Sequence, residues 1–312
     1  MSIQSHSFRN SVVSSTFTLP TMAVIVLLVW VLSDVTDVNL WGGLAVTGLT
    51  AYLIMELNNR NALLRIRSRM MSVTYLALML VCPALHTWSM EAIPTVCFVL
   101  AYFMLFSSYQ QFRAEGYIFH AFLLLGIGSM VFPPMLVLAI AYYISMLFQL
   151  RSLTWRTFMA GLFGLAVPYW ILAAYAIWNN QLDTAFLYLN DWFVPHVPDY
   201  SLLKLDQWIT VGIFFALALF AFVHFIHTAY NDKIRTRMLL YTIITMQVFL
   251  TVGLLLLPEH FDKQMRLFIA NSSLIIAHYY ALGKGRLFNT WFNLTVLILV
   301  VLGVYNYYVQ MG

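Results

Sequence analysis

Charge in this chain is confined to short connectors. From residue 18 onward, apolar runs of about twenty residues follow one another, the length a helix needs to cross a hydrocarbon core, and none carries Asp, Glu, Lys or Arg at its centre. Repeated this often, such runs point to lipid, where a helix satisfies its own backbone and irregular chain cannot. Composition agrees, with 62% hydrophobic and 9% charged residues, against roughly 25% charged in soluble domains. The runs are continuous rather than alternating with period two, which argues against a β-barrel. The expected fold class is all-α: a polytopic membrane helical bundle forming a single transmembrane domain over 1–312.

The runs lie at 18–34, 41–57, 72–88, 92–108, 117–132, 134–150, 157–178, 207–229, 238–257, 266–282 and 288–309, giving ten or eleven segments. The segment 117–150 sets the parity. It has no acid, lysine or arginine, but holds Pro133 and Pro134 near its centre. One helix of this length would reach about 51 Å, against a core of about 30 Å. Proline removes a helical donor and restricts the residue before it, so a break at Phe132 is expected.

Cytoplasmic loops carry the excess of Lys and Arg. With the N-terminus inside and 117–150 turning back at the prolines, 13 of these residues fall inside and 3 outside. Treating 117–150 as one crossing gives 9 against 7, and the bias nearly disappears. The segment is therefore read as a pair of short crossings or a re-entrant hairpin, with the N-terminus cytoplasmic and the C-terminus outside. The polar first 17 residues, with no small-residue cleavage site after the first run, read as leading into a retained signal-anchor helix.

Sites are sought in the connectors. Arg60, Arg65, Arg67 and Arg69 are expected at the inner surface, against lipid headgroups. The largest outer loop, 179–206, is amphipathic and carries Asp191, Trp192, His196 and Asp199; a second outer cluster is Glu259, His260, Asp262, Lys263 and Arg266. Cations for a phosphate, aromatics for a sugar face and an acid as base make these candidates for substrate or lipid binding. His224 and His227 share a helix face, and with His120 and His278 are expected as interfacial histidines. Asn271, Ser272, Ser273 and Gln247 are expected in helix–helix hydrogen bonds. Cys82 and Cys97 sit inside apolar runs and are expected as small buried side chains. "GKGR" at 283–286 reads as a helix end. No nucleotide-loop, nucleophile-elbow or zinc-protease motif is present, and the modest net charge of +4 does not suggest nucleic acid as a partner. The bilayer is the one partner that composition requires.

The stretch 119–178, with Gly126, Gly128, Pro133, Pro134, Arg151, Arg156, Gly161, Gly164 and Pro168, resembles the middle of the GT-C glycosyltransferases. These are multi-pass enzymes that use polyprenyl-phosphate-linked sugars, and the likeness extends over about residues 41–178. The chain also resembles a family of bacterial multi-pass inner-membrane proteins of about this length. The resemblance implies a bacterial cytoplasmic membrane, lipid-linked sugar transfer or cell-envelope glycan assembly, a polyprenyl-phosphate sugar as partner, and catalytic acids in the first outer loop, here Asp34 and Asp37. No cofactor is evident, and a divalent cation is compatible with the family's chemistry. A non-catalytic scaffold or a small-molecule transporter stays open beside the enzyme.

Overall fold

The structure, a computed structural model, describes residues 8–33, 36–181, 198–283 and 285–311. Among the described residues the chain is α-helical without strands. The helices are α1 (Phe8–Ser14), α2 (Thr18–Ser33), α3 (Val38–Asn61), α4 (Met70–Leu80), α5 (Ile93–Ser107), α6 (Glu115–Val131), α7 (Leu138–Phe148), α8 (Trp155–Trp178), α9 (Leu205–Thr228), α10 (Ile234–Leu256), α11 (Phe261–Leu282) and α12 (Arg286–Met311). Each apolar run forms a helix close to its expected place. Among the described residues, six helical segments are long and apolar enough to cross a membrane: α3, 90–107, α8, 205–231, α10 and 286–310. α1 and α2 make a pair bent by 96°, and α4, α6 and 133–148 are shorter apolar helices. The run at 72–88 departs most from its expected form. Its helix stops at Leu80, about 16 Å long, because Pro83 opens a 3₁₀ turn at Pro83–Leu85.

The chain forms two compact units, one of residues 1–89, 203–240 and 269–312, the other of residues 90–202 and 241–268. In the first, the loops sort into two ends. At one, Ser68 donates to the Val13 carbonyl (2.7 Å), Arg69 to Thr16, Arg9 to Gly283 and Arg235 to Asn61 (3.2 Å). Asn58 holds this end of α3 to the following loop, donating to the Ser68 carbonyl and accepting from the Leu64 amide. Gly285, at a φ of 106° that favours glycine, makes the turn into α12, so "GKGR" is a helix end.

At the other end of this unit, Trp88 donates its amide to the Asn39 carbonyl, and Trp30 stacks on His86 with ring centroids 3.5 Å apart. His86 Nε2 faces the Met79 carbonyl at 3.1 Å and its Nδ1 faces the Tyr307 hydroxyl at 3.0 Å. These partners assign the proton to Nε2 and make Nδ1 the acceptor. Asn306 adds bonds to the Val81 carbonyl and to Thr210. Gly43 lies so close to the His86 carbonyl that a Cβ there would collide with it.

The second unit resolves the segment 117–150. α6 ends at Val131 because Phe132, held extended at φ −135° and ψ 84°, precedes Pro133. Pro133–Val137 form a 3₁₀ turn and α7 returns. The amide of Gln110 then donates to the carbonyl of Leu150 at 2.8 Å, and the Ser108 and Ser152 hydroxyls meet at 3.2 Å. The residues flanking the pair are therefore neighbours, so the segment comes back to the end it left. α8 packs along α6 in the most extensive helix pairing among the described residues. Small residues permit it: Gly164 lies against the Phe119 carbonyl, and a Cβ on Gly126 would stand 3.0 Å from Pro168. The core beside this pair holds Phe98, Tyr102, Phe122 and Tyr142.

Single cysteines at Gln111 and Arg151, both exposed, in a background where Cys82 and Cys97 are buried, are expected to react with a membrane-impermeant maleimide from the same side. Reaction from opposite sides would mean that 117–150 crosses once.

Candidate functional sites

Of Glu259, His260, Asp262, Lys263 and Arg266, the structure brings Asp262, Lys263 and Arg266 together with Glu91 in the second unit. Glu91, from the turn before α5, lies with Oε1 3.4 Å from Lys263 Nζ. Lys263 stands in the first turn of α11 beside Asp262, and Arg266, one turn on, is buried. Asp262 is half-buried, and its Oδ1 accepts no hydrogen bond. Burial first, and the Glu91 charge second, push its carboxyl above the usual range, with Arg266 pulling the other way. His260 sets its ring edge-on to Phe132, with centroids 6.1 Å apart, next to the proline turn. Glu259 is exposed.

Other expected residues have local structural work. Asp37 is the N-cap of α3, accepting from the Asn39 amide at 2.8 Å. Asp199 accepts from the Ser201 amide (3.0 Å) and hydroxyl (2.7 Å), and these bonds hold its carboxyl below the usual range. Arg60 pairs with Glu56 along α3 at 3.8 Å on the surface, and Arg67 is exposed. Asp34, Asp191, Trp192 and His196 lie outside the described residues. Ser272 and Ser273 donate to the carbonyls of Ile269 and Ala270, so for these two serines the expected bonds between helices are bonds within α11.

A second constellation was not foreseen. At the basic end of the first unit, the Asp232 carboxylate is completely covered, yet Arg65 Nε lies 2.7 Å from its Oδ1 and His278 Nε2 lies 3.2 Å from its Oδ2. The Arg65 contact is an ion pair rather than an aligned hydrogen bond. Beside it opens a cavity of about 540 Å³ lined by Arg65, His224, His227, Asn231, Tyr279 and Phe288, among others. His224 sits with its ring 5.0 Å from that of Tyr279 and 5.1 Å from that of Phe288. The signal available in sequence was Asp232 itself, a lone acid in the cationic connector "NDKIRTR".

Among the described residues, no group of three His, Cys, Asp or Glu side chains is placed to hold a metal ion. Comparison of the chain with family models, curated proteins and solved structures gives no match.

Two outcomes test these assignments. Removing Arg65 leaves a fully covered carboxylate with only the His278 imidazole against it, whereas removing the Asp232 charge leaves an Arg65 side chain that is 34% exposed and can hydrate. Arg65→Gln is thus expected to cost about 3 kcal/mol and Asp232→Asn clearly less, measured by thermal unfolding in detergent. At Asp262 the raised carboxyl keeps its proton in the folded state at pH values where the unfolded chain has lost it. Stability therefore falls as pH rises above the ordinary carboxylate value of about 4. Asp262→Asn is expected to flatten that decline and to be no less stable than the parent at pH 7.

Proposed function

We propose that the protein is a membrane enzyme of lipid-linked sugar transfer, with Glu91, Asp262, Lys263 and Arg266 as its working site. We further propose eleven passes, counting the short pair around Pro133 as two, with the N-terminus cytoplasmic, the C-terminus outside and the site on the outer face of a bacterial cytoplasmic membrane. The distribution of Lys and Arg supports this orientation.

The observation that carries the proposal is Asp262, a half-buried carboxyl with an unpartnered oxygen beside a second acid and two cations. In the reaction, the acceptor hydroxyl gives its proton to the Asp262 carboxylate as its oxygen bonds to the anomeric carbon. The bond from that carbon to the phosphate oxygen breaks, and the polyprenyl phosphate leaves with the electron pair. Lys263 and Arg266 face the charge that builds on the leaving phosphate, and Glu91 orients Lys263. The proline turn has no cation of its own, and His260 reaches it from the neighbouring 3₁₀ turn. Asp34 and Asp37, the acids that the resemblance favours, remain the alternative base. Asp37 is the weaker candidate because its carboxylate already caps α3. Transport has less support, since the polar middle of α11 is buried throughout and its serines bond to their own helix.

The test is sugar transfer from a polyprenyl-phosphate donor in isolated membranes, with protein level measured in parallel. Asp262→Asn is expected to lower the rate by about 10²-fold or more, and Lys263→Gln to weaken it, while Asp37→Asn stays within a few-fold of the parent. Unchanged transfer in Asp262→Asn with loss in Asp37→Asn would move the base to the first outer loop. No transfer by the parent protein, with all outer acids tolerated, would favour a scaffold.

A further inference from the structure

The cavity at the basic end of the first unit is not used by the proposed reaction, and its walls are graded. Along α9 the wall passes from apolar Phe220 and Val223 to polar His227, Thr228 and, just beyond the helix, Asn231; Arg65 adds a cation there, and Leu282 and Phe288 add further apolar surface. From Phe220 to Asn231 the chain advances about 16 Å. A volume of about 540 Å³ lies within the range of small-molecule sites, and the gradient suits a ligand with one charged end and one apolar end.

The sign of the charged end follows from the surroundings. Arg65 spends Nε on Asp232, and one terminal nitrogen makes a long 3.4 Å contact with the Asn231 carbonyl. The planar guanidinium keeps further donors suited to a phosphate. The connectors at this end add Arg67, Arg69, Lys233, Arg235 and Arg286. The acid beside the cavity, Asp232, is fully covered and paired with Arg65, so it offers an incoming anion little repulsion. The His224 ring lines the cavity, and its Nδ1 is buried with no hydrogen-bond partner.

We propose that this cavity binds an anionic phospholipid, its phosphate at Arg65, its glycerol and headgroup oxygens near His224, His227 and Asn231, and an acyl chain against Phe220 and Val223. Basic pockets of this kind between membrane helices are suited to acidic headgroups. The apolar part of the wall favours a lipid over a soluble phosphate ester of the same chemistry.

The test uses the full-length protein in neutral detergent, read by native mass spectrometry and by thermal shift against added phosphatidylglycerol, phosphatidylcholine or sn-glycerol 3-phosphate. Phosphatidylglycerol is expected to stay bound and to raise the melting temperature, phosphatidylcholine to do so at least tenfold less readily, and glycerol phosphate to have no effect at millimolar concentration. Val223→Trp, which fills the apolar part without touching a charge, and His227→Ala, which leaves the Arg65–Asp232 pair intact, should each lower phosphatidylglycerol occupancy several-fold with folding unchanged. Equal retention of the two lipids, or occupancy indifferent to Val223→Trp, would overturn the proposal. Binding of glycerol phosphate as tight as that of the lipid would also overturn it and make this a site for a soluble phosphate ester.

Discussion

Hydrocarbon offers no hydrogen-bond partner, so every polar group carried away from the membrane surface must find one in protein. The arrangement of this chain follows from that constraint. α11 is the clearest case. It carries Gln264, Arg266, Asn271, Ser272, Ser273 and His278, too polar a set for a helix facing lipid, and residues 264–278 are buried without interruption. Two apolar helices are left open: little of α12 and α8 is covered, and their side chains are of the kind lipid accepts. Asn306 shows the same rule at small scale, since its amide is held by the Val81 carbonyl and Thr210.

What was legible in the sequence is what depends on local chemistry. Helix positions followed from uncharged runs, and the break at Phe132 followed from the proline after it. The return of 117–150 to its starting end followed from the placement of arginine and lysine, a bias set by the energetics of insertion rather than by packing. The early end of α4 was equally local, since Pro83 was in view, but an apolar run continues past it and conceals the stop. Pairings between distant segments were not legible. Glu91 and Lys263 are 172 residues apart, and Arg65 and Asp232 are 167 apart; no spacing rule connects them, and only the packing of intervening helices does. Asp34, Asp191, Trp192 and His196 lie outside the described residues.

The carboxylates of the chain differ in how far their oxygens are spoken for, and that difference separates structure from chemistry. Asp37 and Asp199 accept amide hydrogen bonds at the start of a helix and of a 3₁₀ turn, a capping role. Asp232 is deeper, but it is met by a guanidinium on one oxygen and an imidazole on the other, so its charge is compensated where it lies. Asp262 has neither arrangement. It is half-buried, it shares its surroundings with Glu91, and one of its oxygens has no hydrogen-bond donor. Folding alone would be served as well by an amide at that position, and the proposed reaction would give the carboxyl a use, since there a proton must come and go. A base whose affinity for a proton has been raised by burial is better matched to taking one from a hydroxyl than a carboxylate left in water. In the proposed reaction, the cations on the next residue and one turn further along the same helix would face the departing phosphate.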